Sequence, residues 1–143
     1  MKGIIKIMLR FVFASHHKMA EGLRDTVEFL TQTDEKLYDI SAYITDEFSM
    51  ENAVKELFEN FNREDTVVVM TDILSGSVNQ KFYPYLSEKV HVISGINVPL
   101  AVALVLAPEE SINDEYIEEA IEEAKSSIVY VNRWETNEDE DDE

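Results

Sequence analysis

Val67-Val68-Val69-Met70, framed by Thr66 and Thr71, is an apolar run with no polar alternation. A strand with one face in water alternates between apolar and polar residues, whereas a strand covered on both faces does not. The run therefore reads as a parallel strand inside an α/β sheet. Outward from it, strand-like runs at 7–14, 37–43 and 90–94 alternate with helical patterns at 18–30, 50–61, 78–86, 99–107 and 113–126. That alternation is what βαβ units require. The expected fold is doubly wound α/β, with a mainly parallel sheet of four strands and helices on both faces. A last strand-like run at 127–131 follows a long helix and is expected as a C-terminal antiparallel edge strand.

Local punctuation agrees with these elements. Ser49 before Met50 reads as an N-cap, and Pro99 suits a first helical turn, where its missing N–H costs nothing. Gly76 and Gly95 fall just after the third and fourth strands, where a loop needs positive φ or close backbone approach.

The 143 residues suit one domain, 1–134, followed by an acidic tail at 135–143 that is expected to be disordered. The chain carries 12 basic and 30 acidic residues. Seven of the acids lie in the tail, which leaves the body 23 acidic against 12 basic, a net charge of −11. Nucleic acid and anionic membrane both reward clustered Lys and Arg, so neither is expected as a partner. The absence of cysteine excludes a disulfide framework and thiolate chemistry and is compatible with the cytoplasm. Lys6 and Arg10 interrupt the apolar N-terminal run and argue against a signal peptide. The run at 100–107 is far too short to span a bilayer.

Chemistry concentrates where strands end. In Ala14-Ser15-His16-His17-Lys18-Met19-Ala20-Glu21-Gly22, histidine falls where the first strand gives way to an amphipathic helix. At the carboxyl edge of a parallel sheet, a following helix can offer unpaired N–H groups to an anion, so a histidine there can carry a phosphoryl group. His16 and Asp72 end the first and third strands, which are commonly neighbours in such sheets. A carboxylate on Nδ1 would leave Nε2 as the nucleophile and stabilise the charge formed on attack. A strand-end aspartate also commonly does no more than cap a loop. Ser75-Gly76-Ser77 precedes a helix and could cradle phosphate oxygens, though either serine could equally be a cap. Nothing matches a P-loop, and no spacing gathers three metal ligands, so neither a metal nor a cofactor is expected. His91, opening the fourth strand, reads as structural. Tyr130, Val131 and Trp134 suit either the core or a subunit interface.

Taken in order, Ala14-Ser15-His16, Met19-Ala20-Glu21-Gly22, Thr71-Asp72-Ile73-Leu74-Ser75-Gly76-Ser77-Val78-Asn79-Gln80 and Ser94-Gly95-Ile96-Asn97-Val98-Pro99-Leu100 resemble the mannose-family enzyme IIA components of the bacterial sugar phosphotransferase system. The resemblance covers residues 5–132 and implies the same doubly wound fold, with a C-terminal edge strand that can be exchanged within a homodimer. It implies a phosphotransferase: His16 takes a phosphoryl group from the phosphocarrier HPr and passes it to an enzyme IIB component serving a membrane permease. Asp72 corresponds to the orienting aspartate, and Ser77 to the serine of a glycine-glycine-serine loop in which Ser75 replaces the first glycine. His17 stands where the family usually has glycine and, with Ser75, Gly76 and Ser77, is expected to border the phosphate. A phosphoryl donor subunit of a dihydroxyacetone kinase and a regulatory module that senses phosphorylation are the alternatives. In the first two roles the chain would be cytoplasmic, reaching the membrane only through permease partners in the first.

Overall fold

A computed structural model describes residues 7–134. The first residues of the N-terminal run and the acidic tail at 135–143 lie outside the described residues. The chain forms β1 (Leu9–His16), α1 (Met19–Thr31), β2 (Leu37–Ala42), α2 (Met50–Glu59), β3 (Thr66–Thr71), α3 (Ser77–Gln80), β4 (Val90–Ser94), α4 (Val98–Leu106) and α5 (Asp114–Lys125). Among the described residues the four strands pair in parallel, in the order β2-β1-β3-β4, with one isolated antiparallel bridge between Ser87 and Val90. The chain winds outward in one direction from β1 to β2 and in the other from β3 to β4. The crevice beyond β1 and β3 is therefore the topological switch point, where open α/β sheets collect ligands.

The expected burial of the third strand is observed: Val67 to Met70 are all at most 2% exposed. Alternate residues of β1 and β3 feed two cores. Phe11, Phe13, Val68 and Met70 pack with α1, α4 and α5 on one face. Val12, Ala14, Val67 and Val69 pack with Met50 and Val54 of α2, Val78 of α3 and Phe82 on the other. Asn97 caps α4 through Leu100 N–H at 2.9 Å, and Ser49 caps α2 through Asn52 N–H at 3.2 Å.

Three expectations are corrected. β1 runs two residues past the expected end, so His16 is itself the last strand residue. The helix expected at 78–86 is the short α3 followed by a 3-10 turn at Tyr83–Tyr85. Pro84 has no N–H to donate and disfavours helical φ/ψ in the residue before it, which ends the α-helix. The run at 127–131 is no antiparallel edge strand. Among the described residues it pairs with nothing and enters a 3-10 turn at Val131–Arg133, with Ile128, Tyr130 and Val131 exposed. An apolar alternation becomes a strand only where its backbone pairs with an open edge, and among the described residues this one makes no such pairing. Among the described residues no helix is long and apolar enough to cross a membrane.

Candidate functional site

Register brings the site together. Ala14 lies opposite Thr71 in β3, and His16 opposite Ala42 in β2, so Asp72, His16 and Tyr43 emerge side by side at the carboxyl edge. The backbone N–H of His16 donates to Asp72 Oδ2 at 2.9 Å, and His16 Nδ1 lies 2.9 Å from the same oxygen. Ile73 N–H donates to the other carboxylate oxygen at 3.0 Å. Asp72 is nearly covered while the imidazole is about one-third exposed. Burial by itself pushes the Asp72 carboxyl up. The hydrogen bonds from the His16 backbone and ring outweigh it and hold the carboxyl below its ordinary range. The anion thus fixes Nδ1–H toward itself and leaves Nε2 as the ring's available base.

The loop after β3 closes on the ring from the opposite side. A Cβ on Gly76 would meet His16 Cε1 at 3.3 Å and the Ile73 carbonyl at 3.4 Å, so glycine permits this close approach. Ser75 adopts φ 71°, and its carbonyl accepts from Gln80 Nε2 at 3.0 Å. The loop is anchored by a chain that starts in the core and ends at the surface: Thr71 Oγ1 donates to Asn79 Oδ1 and Asn79 Nδ2 to the Tyr83 hydroxyl, each at 2.8 Å. Ser77 Oγ lies 2.7 Å from the Tyr43 hydroxyl, and the Tyr43 ring stands 5.6 Å from the imidazole.

Of the expected residues, His16, Asp72 and Gly76 are in direct juxtaposition, and Ser77 joins them through Tyr43. Ser75 contributes backbone rather than its hydroxyl. His17 is exposed at φ 55°, where its N–H donates to the Ala42 carbonyl at 2.8 Å.

The first turn of α1 differs from expectation. Ala20 N–H donates to Ser15 Oγ at 2.7 Å, Glu21 N–H to Ser41 Oγ at 3.3 Å, and Gly22 N–H to the Lys18 carbonyl at 3.0 Å. Those donors are already taken. The N–H groups of Ser75 and Ser77, by contrast, make no hydrogen bond among the described residues. The loop after β3 thus offers unbonded backbone donors close to His16, whereas in the first turn of α1 those of Ala20, Glu21 and Gly22 are committed. Tyr43 and Asn79 escaped the sequence reading. Tyr43 was signalled only by its position one residue past β2, and Asn79 only by its place in the Thr71 to Gln80 motif, where no role was assigned to it. Exposed Met19, Ile44, Ile73 and Leu74 come from the same loops and helix start and form an apolar rim. Among the described residues, no three His, Asp or Glu side chains gather as a metal site.

The fold and site define an α/β protein with a doubly wound sheet and, at its switch point, a partly exposed histidine held by a carboxylate. The sequence pattern of the family described as PTS system fructose IIA component matches residues 10–123. The chain belongs to that family, the mannose-type enzyme IIA components of the sugar phosphotransferase system, and so is a phosphoryl carrier of sugar transport.

Among solved structures, a proposed phosphoenolpyruvate-dependent sugar phosphotransferase system permease from Klebsiella pneumoniae is 34% identical, with a TM-score of 0.82, covering 89% of this chain and 93% of that one. The PTS IIA protein associated with the fucose utilization operon of Streptococcus pneumoniae is 23% identical, with a TM-score of 0.78 over 91% and 98%. The mannose/sorbose-specific IIA subunit from Enterococcus faecalis is 16% identical, with a TM-score of 0.73 over 91% and 99%. These last two share the fold. No curated protein sequence matches the chain.

Proposed function

We propose that His16 Nε2 accepts a phosphoryl group from phosphorylated HPr and passes it to an enzyme IIB component of a sugar permease complex. The observation that carries this reading is the pair of bonds from His16 to one oxygen of Asp72. With Nδ1–H donated to the carboxylate, the Nε2 lone pair attacks phosphorus as the donor's P–N bond breaks. Asp72 stabilises the imidazolium that results. The Ser75 and Ser77 N–H groups and the Ser77 hydroxyl are the donors for the transferring oxygens, so catalysis is positioning plus electrostatics, as phosphoryl transfer requires.

The apolar rim of Met19, Ile44, Ile73 and Leu74 suits docking of a protein, which brings its own reacting group to the exposed imidazole. The acidic body speeds encounter with a basic partner. Sugar uptake is favoured over a dihydroxyacetone kinase by the 34% identical Klebsiella protein, described as a proposed sugar phosphotransferase system permease. The chain works as a homodimer in this reading. The free edge of β4 and the exposed Ile128, Tyr130, Val131 and Trp134 are the surfaces a second copy would cover.

Incubation with enzyme I, HPr and phosphoenolpyruvate, followed by mass mapping under alkaline conditions, tests the reading. Label should reach His16, vanish in His16→Ala and persist in His17→Gly. Label that survives His16→Ala and is lost from His17→Gly would move the reaction to the neighbouring imidazole.

A further inference from the structure

Tyr43 makes three contacts, with His16, Phe48 and Ser77. The residue sits at φ 66°, a left-handed conformation that a bulky side chain rarely adopts and that tends to occur at functional sites. This turn lays the ring beside the imidazole at 5.6 Å and 39°, with Phe48 supporting it edge-on at 5.7 Å and 76°. It also places the phenol 2.7 Å from Ser77 Oγ, across 34 residues of sequence.

A phenol is more acidic than an aliphatic alcohol and is the better donor of the two. Either hydroxyl can donate in this pair; the more acidic phenol favours the arrangement in which Tyr43 O–H donates to Ser77 Oγ and the Ser77 hydrogen is aimed elsewhere. Hydrogen bonds in series polarise one another, so a serine that accepts from tyrosine is a stronger donor in its turn.

We propose that Tyr43 is a positioning residue of the phosphoryl site: its hydroxyl orients and polarises Ser77, whose own hydrogen is donated to an oxygen of the phosphoryl group on His16. The inference rests on the proposed role of His16 and adds a hydroxyl relay to it. The ring, meanwhile, limits where the imidazole can swing. Tyr43→Phe removes the relay and keeps the ring, which separates the two contributions.

The experiment measures transfer from phosphorylated HPr in the wild-type protein, Tyr43→Phe, Ser77→Ala and the double variant, with thermal unfolding of each. Loss of one hydrogen bond between neutral hydroxyls should lower kcat for Tyr43→Phe about fivefold, with an unchanged unfolding midpoint. Because Tyr43 acts through Ser77, the same change in the Ser77→Ala background should lower kcat less than about twofold. Equal losses in both backgrounds, or a Tyr43→Phe protein that transfers at the wild-type kcat per folded molecule, would overturn the relay. A change confined to KM would assign Tyr43 to partner docking and overturn it as well. Wild-type protein that takes no phosphate on His16 would defeat the functional reading itself, and the relay with it. Labelled wild type beside an undisturbed Tyr43→Phe would defeat the relay alone.

Discussion

His17 and Ser75, which stand where the resemblance implies glycine, both have positive φ, 55° and 71°. Glycine reaches this region freely. Other L-residues pay about 1–2 kcal/mol to enter it, although histidine is among those that tolerate it best. At His17 the conformation is imposed from outside, because its N–H must reach the Ala42 carbonyl while its own carbonyl accepts from Ser15 Oγ at 3.1 Å. Ser15 then also receives Ala20 N–H, so the turn and the start of α1 are tied to one hydroxyl. His17→Gly should therefore raise unfolding free energy by about 1 kcal/mol while the protein keeps its phosphoryl acceptance. Urea denaturation checks the first point. A lowered midpoint would mean that the imidazole of His17 makes a stabilising contact that outweighs the strain.

At the opposite edge of the sheet, three strands are held by one buried carboxylate. Asp65 directly precedes β3 and accepts from Met8 N–H at 2.9 Å, Asn62 N–H at 2.9 Å and Arg10 Nε at 2.6 Å. Arg10, on β1, also donates to the Tyr38 hydroxyl of β2 and lies 4.6 Å from the Phe61 ring centre. Burial pushes the Asp65 carboxyl up, and the bonds from Met8, Arg10 and Asn62 more than reverse it, so it stays below its ordinary range. A depressed folded value means that the stabilisation is complete above the unfolded value near 3.8 and is lost as pH falls through the lower, folded one. Asp65→Ala leaves a guanidinium and two N–H groups without their acceptor and should cost about 3 kcal/mol at neutral pH. The same variant should flatten the acid limb of the stability curve below about pH 4. An unfolding free energy within about 0.5 kcal/mol of wild type would show that water replaces the carboxylate without loss.

For the molecule as a whole, the open questions gather at β4. This edge strand leaves Val90, His91 and Val92 only half-buried, and Ser94 Oγ is buried with no hydrogen-bond partner among the described residues. Residues 128–134 also expose an apolar surface, which includes Trp134. A second copy laying that segment along β4 would pair the backbone edge and cover the aromatic surface together. Sedimentation should give about twice the chain mass, and Val131→Asp should shift it toward monomer. A monodisperse monomer at micromolar concentration would sink the dimer and leave Trp134 in water.

What the sequence by itself determined follows from short-range physics. Burial on both faces wrote an unbroken apolar run at β3, helical periodicity marked α1, α2, α4 and α5, and Ser49 and Pro99 announced helix starts within one turn. His16 and Asp72 were legible as candidates because strand ends of a parallel sheet share one edge. Their 2.9 Å contact was decided by register, which brings residues 56 apart in the chain together. Tertiary structure alone filled the N–H groups of α1 with the Ser15 and Ser41 hydroxyls, carried Tyr43 over Ser77, and left 127–131 without a strand to pair with. In each case the outcome depends on which distant group satisfies a donor, an acceptor or an edge, and local propensity carries no information about that.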